Sequence, residues 1–124
     1  MKKLSVAVLG ASDDPNRFSN KAFLLLKKHQ YEVIPVNPKL KFIDDIPVLS
    51  GLDLIKVPVH TLTVYVNAEI SRTLPQQIIR LNPNRVIFNP GTENPELEKK
   101  LIDAGIKVIN ACTLILLNAG QFQD

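Results

Sequence analysis

Short apolar runs alternate with segments of helical periodicity along most of this chain. The apolar runs are rich in β-branched residues and occupy residues 4–9, 31–36, 62–66, 85–88 and 106–109. Runs of this kind, apolar on both faces, are typical of strands buried in a parallel sheet. Between them, apolar residues recur at helical spacing over residues 20–30, 68–81, 94–104 and 111–119. The alternation predicts an α/β fold: a Rossmann-like, doubly wound parallel sheet of about five strands in a three-layer sandwich.

Prolines set the limits of several of these elements. Pro35 removes a ladder donor from the second strand, which predicts an edge position or a local break for that strand. Pro75 cannot sit unstrained inside a helix, so the helical segment around it is predicted to stop and restart there. Residues 38–60 are interrupted by further prolines and are predicted to form a loop, with an extended piece at 46–49 and one helical turn at 51–55.

Composition and charge narrow the class of protein. The chain has 124 residues, 45% of them hydrophobic and 22% charged, and we expect a single domain over residues 1–124. No apolar run approaches the ~20 residues of a membrane-spanning helix, and the stretch after Lys2 and Lys3 turns polar too early for a secretory signal. Because the net charge of +3 is scattered and aromatic residues are few, nucleic acid is not an expected partner. A cytoplasmic location is the default expectation.

The turn after the first strand carries the strongest local signal for ligand binding. Ligands of open α/β sheets bind beyond the carboxyl ends of the strands, and here the first strand runs into Gly10-Ala11-Ser12 ahead of a helix. Exposed backbone N–H groups and the helix dipole favour phosphate at such a turn. The motif alone is weak, because Ser12 and Pro15 stand where the dinucleotide fingerprint has its second and third glycines.

The loop that follows contains one cation among small polar donors. Arg17 is placed to fork onto a pyrophosphate, with the hydroxyl of Ser19 nearby as a further donor to the ligand. The alternative interpretation is a solvent-facing arginine paired with Asp13 or Asp14, and the sequence favours neither. Ser19 or Asn20 is the predicted N-cap of the first helix.

The end of the second strand distinguishes between nucleotides. Domains that bind NAD usually have an acidic residue there for the ribose diol, whereas this chain has Asn37-Pro38-Lys39. The missing acid and the nearby lysine favour a phosphorylated ribose, which coenzyme A and NADP both contain, although a solvated loop is the plainer interpretation of Lys39. Asparagine also follows three other strands, where each one taken singly is best interpreted as a turn former: Asn67, Asn89 and Asn110.

Three segments together resemble the small stand-alone CoA-binding domain proteins, a family similar to the nucleotide-binding domain at the start of the succinyl-CoA synthetase α subunit. They are GASDDPNRFS at residues 10–19, YEVIPVNP at 31–38 and NPG at 89–91. The resemblance implies coenzyme A or an acyl-CoA as the ligand, with phosphates held by Gly10, Ala11, Ser12 and Arg17. It further implies an adenosine side lined by Val36, Asn37 and Pro38, and a crevice closed by Asn67, Pro90 and Gly91.

Catalysis by this chain alone is not expected. His29 and His60 are thirty residues apart without obvious partners, and the sequence contains no metal-ligand cluster, no G-x-S-x-G elbow and no Walker A lysine. Cys112, the only cysteine, excludes an internal disulfide and a cysteine-based zinc site. It is interpreted as a small buried thiol at a helix start, although a thiol in that position can be reactive.

The leading hypothesis is therefore non-catalytic binding of coenzyme A or an acyl-CoA. Two alternatives stay open: an NADP-binding enzyme subunit that needs a partner, and a module without a ligand that serves protein interactions. No membrane partner is expected. A homodimer is compatible with the sequence, although no exposed apolar helix face indicates one.

Overall fold

A five-stranded parallel sheet forms the centre of the structure, a computed structural model that describes residues 4–123. Lys2 and Lys3, considered above as the start of a signal, lie outside the described residues. In chain order the strands are β1 (Ser5–Leu9), β2 (Glu32–Val36), β3 (Phe42–Ile43), β4 (Ile46–Pro47), β5 (Thr61–Val64), β6 (Arg85–Phe88) and β7 (Lys107–Asn110). The helices are α1 (Phe18–Lys28), α2 (Ala68–Ser71), α3 (Pro75–Leu81), α4 (Pro95–Asp103) and α5 (Thr113–Asn118), with a 3₁₀ turn at Leu52–Leu54.

The order of the strands creates a switch point beside β1. The parallel sheet is ordered β2-β1-β5-β6-β7, while β3 and β4 pair separately as an antiparallel hairpin. From β1 the chain therefore moves first to one side of the sheet and later to the other. In doubly wound sheets, ligands bind in the crevice that opens at this point, beyond the carboxyl ends of the strands.

Alternate residues of β1 face two separate apolar layers. Val6 and Val8 belong to the cluster that α1 and α5 cover, and Ala7 and Leu9 belong to the cluster that α3 and α4 cover. All four side chains are 6% exposed or less. This burial on both faces is why the strand is apolar without alternation, and it confirms the predicted three-layer α/β fold.

Both proline predictions are confirmed. Pro35 lies in β2 at the edge of the sheet, and its carbonyl oxygen accepts a hydrogen bond from Leu49 N (3.0 Å) on the side away from β1. The helical segment after β5 stops at Ser71 and restarts with Pro75 in the first turn of α3, where a missing N–H costs nothing.

The prediction for the first helix cap is wrong. Helix α1 begins at Phe18 with Arg17 as its N-cap, and no side chain of the described part of the chain caps it. Ser19 and Asn20 lie inside the helix and are buried. Asn20 is used differently, because its Nδ2 donates to the Ser12 carbonyl oxygen (2.8 Å) and ties the preceding loop to the helix.

Other limits differ from prediction by one or two residues. The third strand of the sheet, β5, ends at Val64 rather than at residue 66, which leaves the next two residues at the carboxyl edge. The hairpin of β3 and β4 was not predicted, because two-residue strands leave almost no periodic signal. Over residues 4–123 no helix has the length and apolar character needed to cross a bilayer.

Candidate ligand-binding crevice

A continuous groove runs along the carboxyl edge of the sheet and consists of three adjoining cavities. The outer cavity, about 700 Å³, lies beside the end of β2. The central cavity, about 500 Å³, lies above β1 and β5, and the terminal pocket, about 190 Å³, lies beside β6 and the start of α5. Neighbouring cavities share lining residues: Gly10, Arg17 and Asn37 between outer and central, then Phe18, Tyr65 and Pro90 between central and terminal.

The structure brings all the predicted binding residues to this groove. Those that line the central cavity are Gly10, Ala11, Ser12, Arg17, Ser19, Asn37, Asn67, Pro90 and Gly91. Those that line the outer cavity alone are Val36, Pro38 and Lys39. Their convergence follows from parallel strands ending at one edge; that they contact a ligand stays a prediction.

The turn after β1 is closed by its own backbone. The N–H groups of Gly10 and Ala11 both donate to the carbonyl oxygen of Val36, at 3.0 and 3.1 Å. These two groups are therefore already paired and shape the turn, contrary to the expectation that they are exposed. The Ser12 hydroxyl oxygen accepts a bond from Asp14 N (3.0 Å), which leaves its own proton available for the cavity.

The start of α1 provides the unpaired donors of the central cavity. With Arg17 as N-cap and no capping side chain, the N–H groups of Phe18 and Ser19 have no acceptor among the described residues. Both residues line the central cavity. Such a helix N-terminus attracts anions through its free N–H groups and its dipole.

Arg17 adds a full positive charge at the same place. Arg17 is exposed and borders both the outer and the central cavity. Over residues 4–123, no ion pair links it to Asp13 or Asp14. The alternative of a carboxylate-paired arginine is therefore not what the structure shows.

Two of the asparagines at the strand ends, Asn37 and Asn67, organise turns. Asn37 Nδ2 donates to the Ala11 carbonyl oxygen (2.8 Å), and its Oδ1 accepts from Lys39 N (2.7 Å). Asn67 Oδ1 caps α2 by accepting from Ile70 N (3.0 Å). Asn37 and Asn67 are therefore turn formers, as predicted, whereas Asn110 Nδ2 donates to Glu98 Oε1 of α4 (2.9 Å) and Asn89 links separate elements, so for these two the interpretation is wrong.

Asn89 holds three elements together beneath the terminal pocket. Its Nδ2 donates to Thr63 Oγ1 (2.7 Å) and to the Val64 carbonyl oxygen (2.8 Å), and its Oδ1 accepts from Thr113 N (2.9 Å). The residue is 2% exposed. Since its amide already makes these three bonds, it offers the pocket little polar capacity.

Two aromatic residues of the groove were missed by sequence reasoning. Phe18 is 70% exposed although it is a large apolar side chain. Tyr65 lines both the central cavity and the terminal pocket, and its hydroxyl is buried with no hydrogen-bond partner among the described residues. Burial raises the pKa of Tyr65 to about 12. Tyr65 directly follows β5, and residues at the carboxyl ends of the strands are the ones expected to line a ligand site. This position is the sequence signal that could have identified it.

Cys112 also lies in this part of the groove. It is the N-cap of α5 and lines the terminal pocket. The thiol-bearing residue is partly exposed, so the expectation of a buried cysteine is wrong. It precedes the helix rather than sitting on its packed face, which is why it remains accessible.

The outer cavity contains an acid that sequence reasoning also missed. Asp53, an exposed residue of the 3₁₀ turn, lines this cavity together with Lys39. The apolar walls of the outer cavity include Ile70 and Leu74 from the α2–α3 region. Asp53 is far in sequence from the end of β2, so only the folded loop brings it there.

The sheet order and the groove at its switch point define a doubly wound, Rossmann-like α/β protein. The model of the CoA binding domain family matches residues 4–118, and the chain belongs to that family. A solved structure of an uncharacterised protein is 38% identical, with coverage of 98% of this chain and 100% of that one and a TM-score of 0.91. The uncharacterised protein YneT of Bacillus subtilis is 27% identical over 104 residues, 84% of this chain and 77% of its own length.

A larger enzyme shares the fold. The structure of a dinucleotide-forming acetyl-coenzyme A synthetase 1 from Candidatus Korarchaeum cryptofilum, in complex with phosphate and ADP, superposes with a TM-score of 0.77 at 17% identity. The similarity covers 89% of this chain and 26% of the synthetase chain. At this identity the similarity is one of fold.

Proposed function

We propose that this protein binds coenzyme A or an acyl-CoA in the groove, without catalysing a reaction on it. The observation that carries the proposal is the continuous groove itself, with cations and free N–H donors in its outer and central cavities and an apolar pocket at its far end. A CoA molecule has the same polarity, since a phosphorylated nucleotide is joined through a long pantetheine arm to a thiol or acyl group.

The diphosphate fits the central cavity. Its acceptors would meet the Arg17 guanidinium, the Ser12 hydroxyl, and the free N–H groups of Phe18 and Ser19. Charge-assisted bonds from a guanidinium are about twice as strong as neutral ones. The helix dipole adds to the same attraction. Gly10 and Ala11 line the cavity with a compact turn whose side chains are no larger than a methyl group.

The adenosine fits the outer cavity. Apolar side chains such as Ile70 and Leu74 offer a surface for the base, and Lys39 at the rim offers a cation for the ribose phosphate. The Lys39 backbone is held by Asn37 Oδ1, which keeps the lysine at the carboxyl end of β2. The 2′-phosphate of NADP would meet the same cation, and the experiment therefore includes it.

Isothermal titration calorimetry of the full chain with CoA, NADP, NAD and adenosine 3′,5′-bisphosphate tests the proposal. We expect saturable binding of CoA, weaker binding of the bisphosphate because it lacks the pantetheine arm, and weaker binding of NAD because it has no ribose phosphate for Lys39. Binding of NADP without CoA would overturn the proposal in favour of an NADP-dependent enzyme subunit. No response to any nucleotide would favour a protein-interaction module.

A further inference from the structure

We infer that the terminal pocket takes the acyl group of a short-chain acyl-CoA, so that the protein prefers such a thioester to free CoA. This inference rests on the proposed function, because it places the far end of the same ligand. The pocket is lined by Phe18, Tyr65, Asn89, Pro90, Cys112 and Leu114.

The pocket is the continuation of the groove. It shares Phe18, Tyr65 and Pro90 with the central cavity, so a chain leaving the diphosphate site reaches it without crossing a wall of the protein. It lies at the opposite end of the groove from the outer cavity. A ligand with its adenosine in the outer cavity therefore presents its sulfur end here.

The chemistry of the walls favours an apolar occupant. Phe18, Pro90 and Leu114 contribute carbon surface, and the amide of Asn89 is already engaged by Thr63, Val64 and Thr113. The Tyr65 hydroxyl is buried behind the ring, away from solvent. A free thiol group would leave most of this surface uncovered, whereas an acyl chain would cover it and also shield the exposed ring of Phe18.

The size of the pocket limits the chain. Its volume is about 190 Å³, and an apolar cavity of about 150 Å³ is enough to hold a benzene ring. By comparison with that cavity, the pocket suits acyl groups of up to about six carbons. Each buried methylene raises affinity about fourfold, the equivalent of its transfer free energy.

An acyl-chain series measured by titration calorimetry tests the inference. Affinity should rise about threefold to fourfold per carbon from acetyl- to butyryl-CoA, level off near hexanoyl-CoA, and gain nothing further in palmitoyl-CoA. Equal affinities for CoA and every short thioester would overturn the acyl pocket while leaving CoA binding intact. An affinity that keeps rising to palmitoyl-CoA would overturn the size limit, and no binding of CoA or any thioester would reject the proposed function itself.

A pair of variants separates the pocket from the rest of α5. Leu114→Phe fills the pocket and should abolish the preference of butyryl-CoA over CoA. Ile115→Phe is the matched control, because Ile115 is the next residue of the same helix, is 67% exposed and does not line the pocket. Preservation of the preference in Leu114→Phe, or its loss in Ile115→Phe, would contradict the inference.

The single cysteine supplies a second readout, which reports where the acyl group lies rather than how tightly it binds. Iodoacetamide can alkylate only Cys112, the one cysteine of the chain. At a butyryl-CoA concentration of about ten times Kd, alkylation should slow about tenfold, because only the ligand-free fraction reacts. Saturating adenosine 3′,5′-bisphosphate fills the nucleotide end alone and should leave the rate unchanged. Unchanged alkylation with bound butyryl-CoA would show that the acyl group lies elsewhere.

Discussion

A Cβ atom placed on Gly10 would lie 2.9 Å from Cγ1 of Val66, closer than such atoms approach in real proteins. Gly10 also has a φ of +87°, in the left-handed region that side chains disfavour. Two independent demands thus select glycine here: the close approach of the segment after β5, and the backbone conformation of the turn.

Replacing this glycine should destabilise the protein strongly. Gly10→Ala combines about 1–2 kcal/mol of left-handed strain with about 1–3 kcal/mol of overpacking. Gly91→Ala is the control, because Gly91 has a similar φ of +89° but open space around the added Cβ. Urea unfolding should show the larger loss in Gly10→Ala. Equal losses would mean that strain alone accounts for the glycine.

Loss of the Arg17 guanidinium should weaken ligand binding. Arg17→Ala is expected to cost about 1–3 kcal/mol of CoA binding free energy, since it removes a charge-assisted bond to phosphate. Lys21→Ala is a suitable control, because Lys21 is exposed on the same helix and lines neither the outer nor the central cavity. Calorimetry at fixed salt measures both. Unchanged CoA affinity in Arg17→Ala would remove this arginine from the site.

The carboxy-terminal segment should contribute a large part of the stability. Phe122 is 2% exposed, packs edge-on against Tyr31 with ring centroids 5.2 Å apart, and lies under the Arg85 guanidinium at 4.6 Å. Its carbonyl oxygen also accepts a hydrogen bond from Arg85 Nη2. Phe122→Ala should cost about 3–5 kcal/mol of unfolding free energy. Gln121→Ala is the control, because Gln121 is the neighbouring residue and is exposed. This variant should change the unfolding free energy by less than about 0.5 kcal/mol.

Stability should fall at high pH because of Tyr65. Burial raises the pKa of its phenol to about 12, an effect that the nearby Thr113 and Thr63 hydroxyls partly offset. In the unfolded chain the phenol ionises at its ordinary pKa of 10.0. The contribution of Tyr65 to the free energy of unfolding is therefore fully present below pH 10 and is lost as the pH rises towards 12. Burial also raises the pKa of Tyr31, which adds to the fall.

The Tyr65→Phe variant tests this assignment. It removes a buried hydroxyl that has no hydrogen-bond partner within residues 4–123, so at neutral pH the unfolding free energy should stay the same or rise by about 1 kcal/mol. Between pH 10 and 12 its stability should fall less than that of the unchanged protein, with Tyr31 responsible for the remainder. Denaturant unfolding across this pH range measures the difference. Parallel curves for both proteins would show that Tyr65 does not ionise in this transition.

The amino-acid sequence determined the architecture because the signals involved are local and periodic. Buried parallel strands are continuous apolar runs, and Pro35 and Pro75 restrict the backbone wherever they occur. The strand-end rule then located the groove, since parallel strands must finish at one edge. For the same reason the predicted binding residues converge there, even though the helix cap was wrongly placed at Ser19 or Asn20.

Only the tertiary structure decided which groups are free to act. The Val36 carbonyl oxygen belongs to another strand and accepts hydrogen bonds from the N–H groups of Gly10 and Ala11. The unpaired donors therefore lie at the start of α1 instead. The exposed Phe18 ring, the buried Tyr65 hydroxyl and the accessible Cys112 likewise depend on what packs around them. A residue's hydrogen bonds and exposure are set by partners distant in sequence, and no local pattern records them.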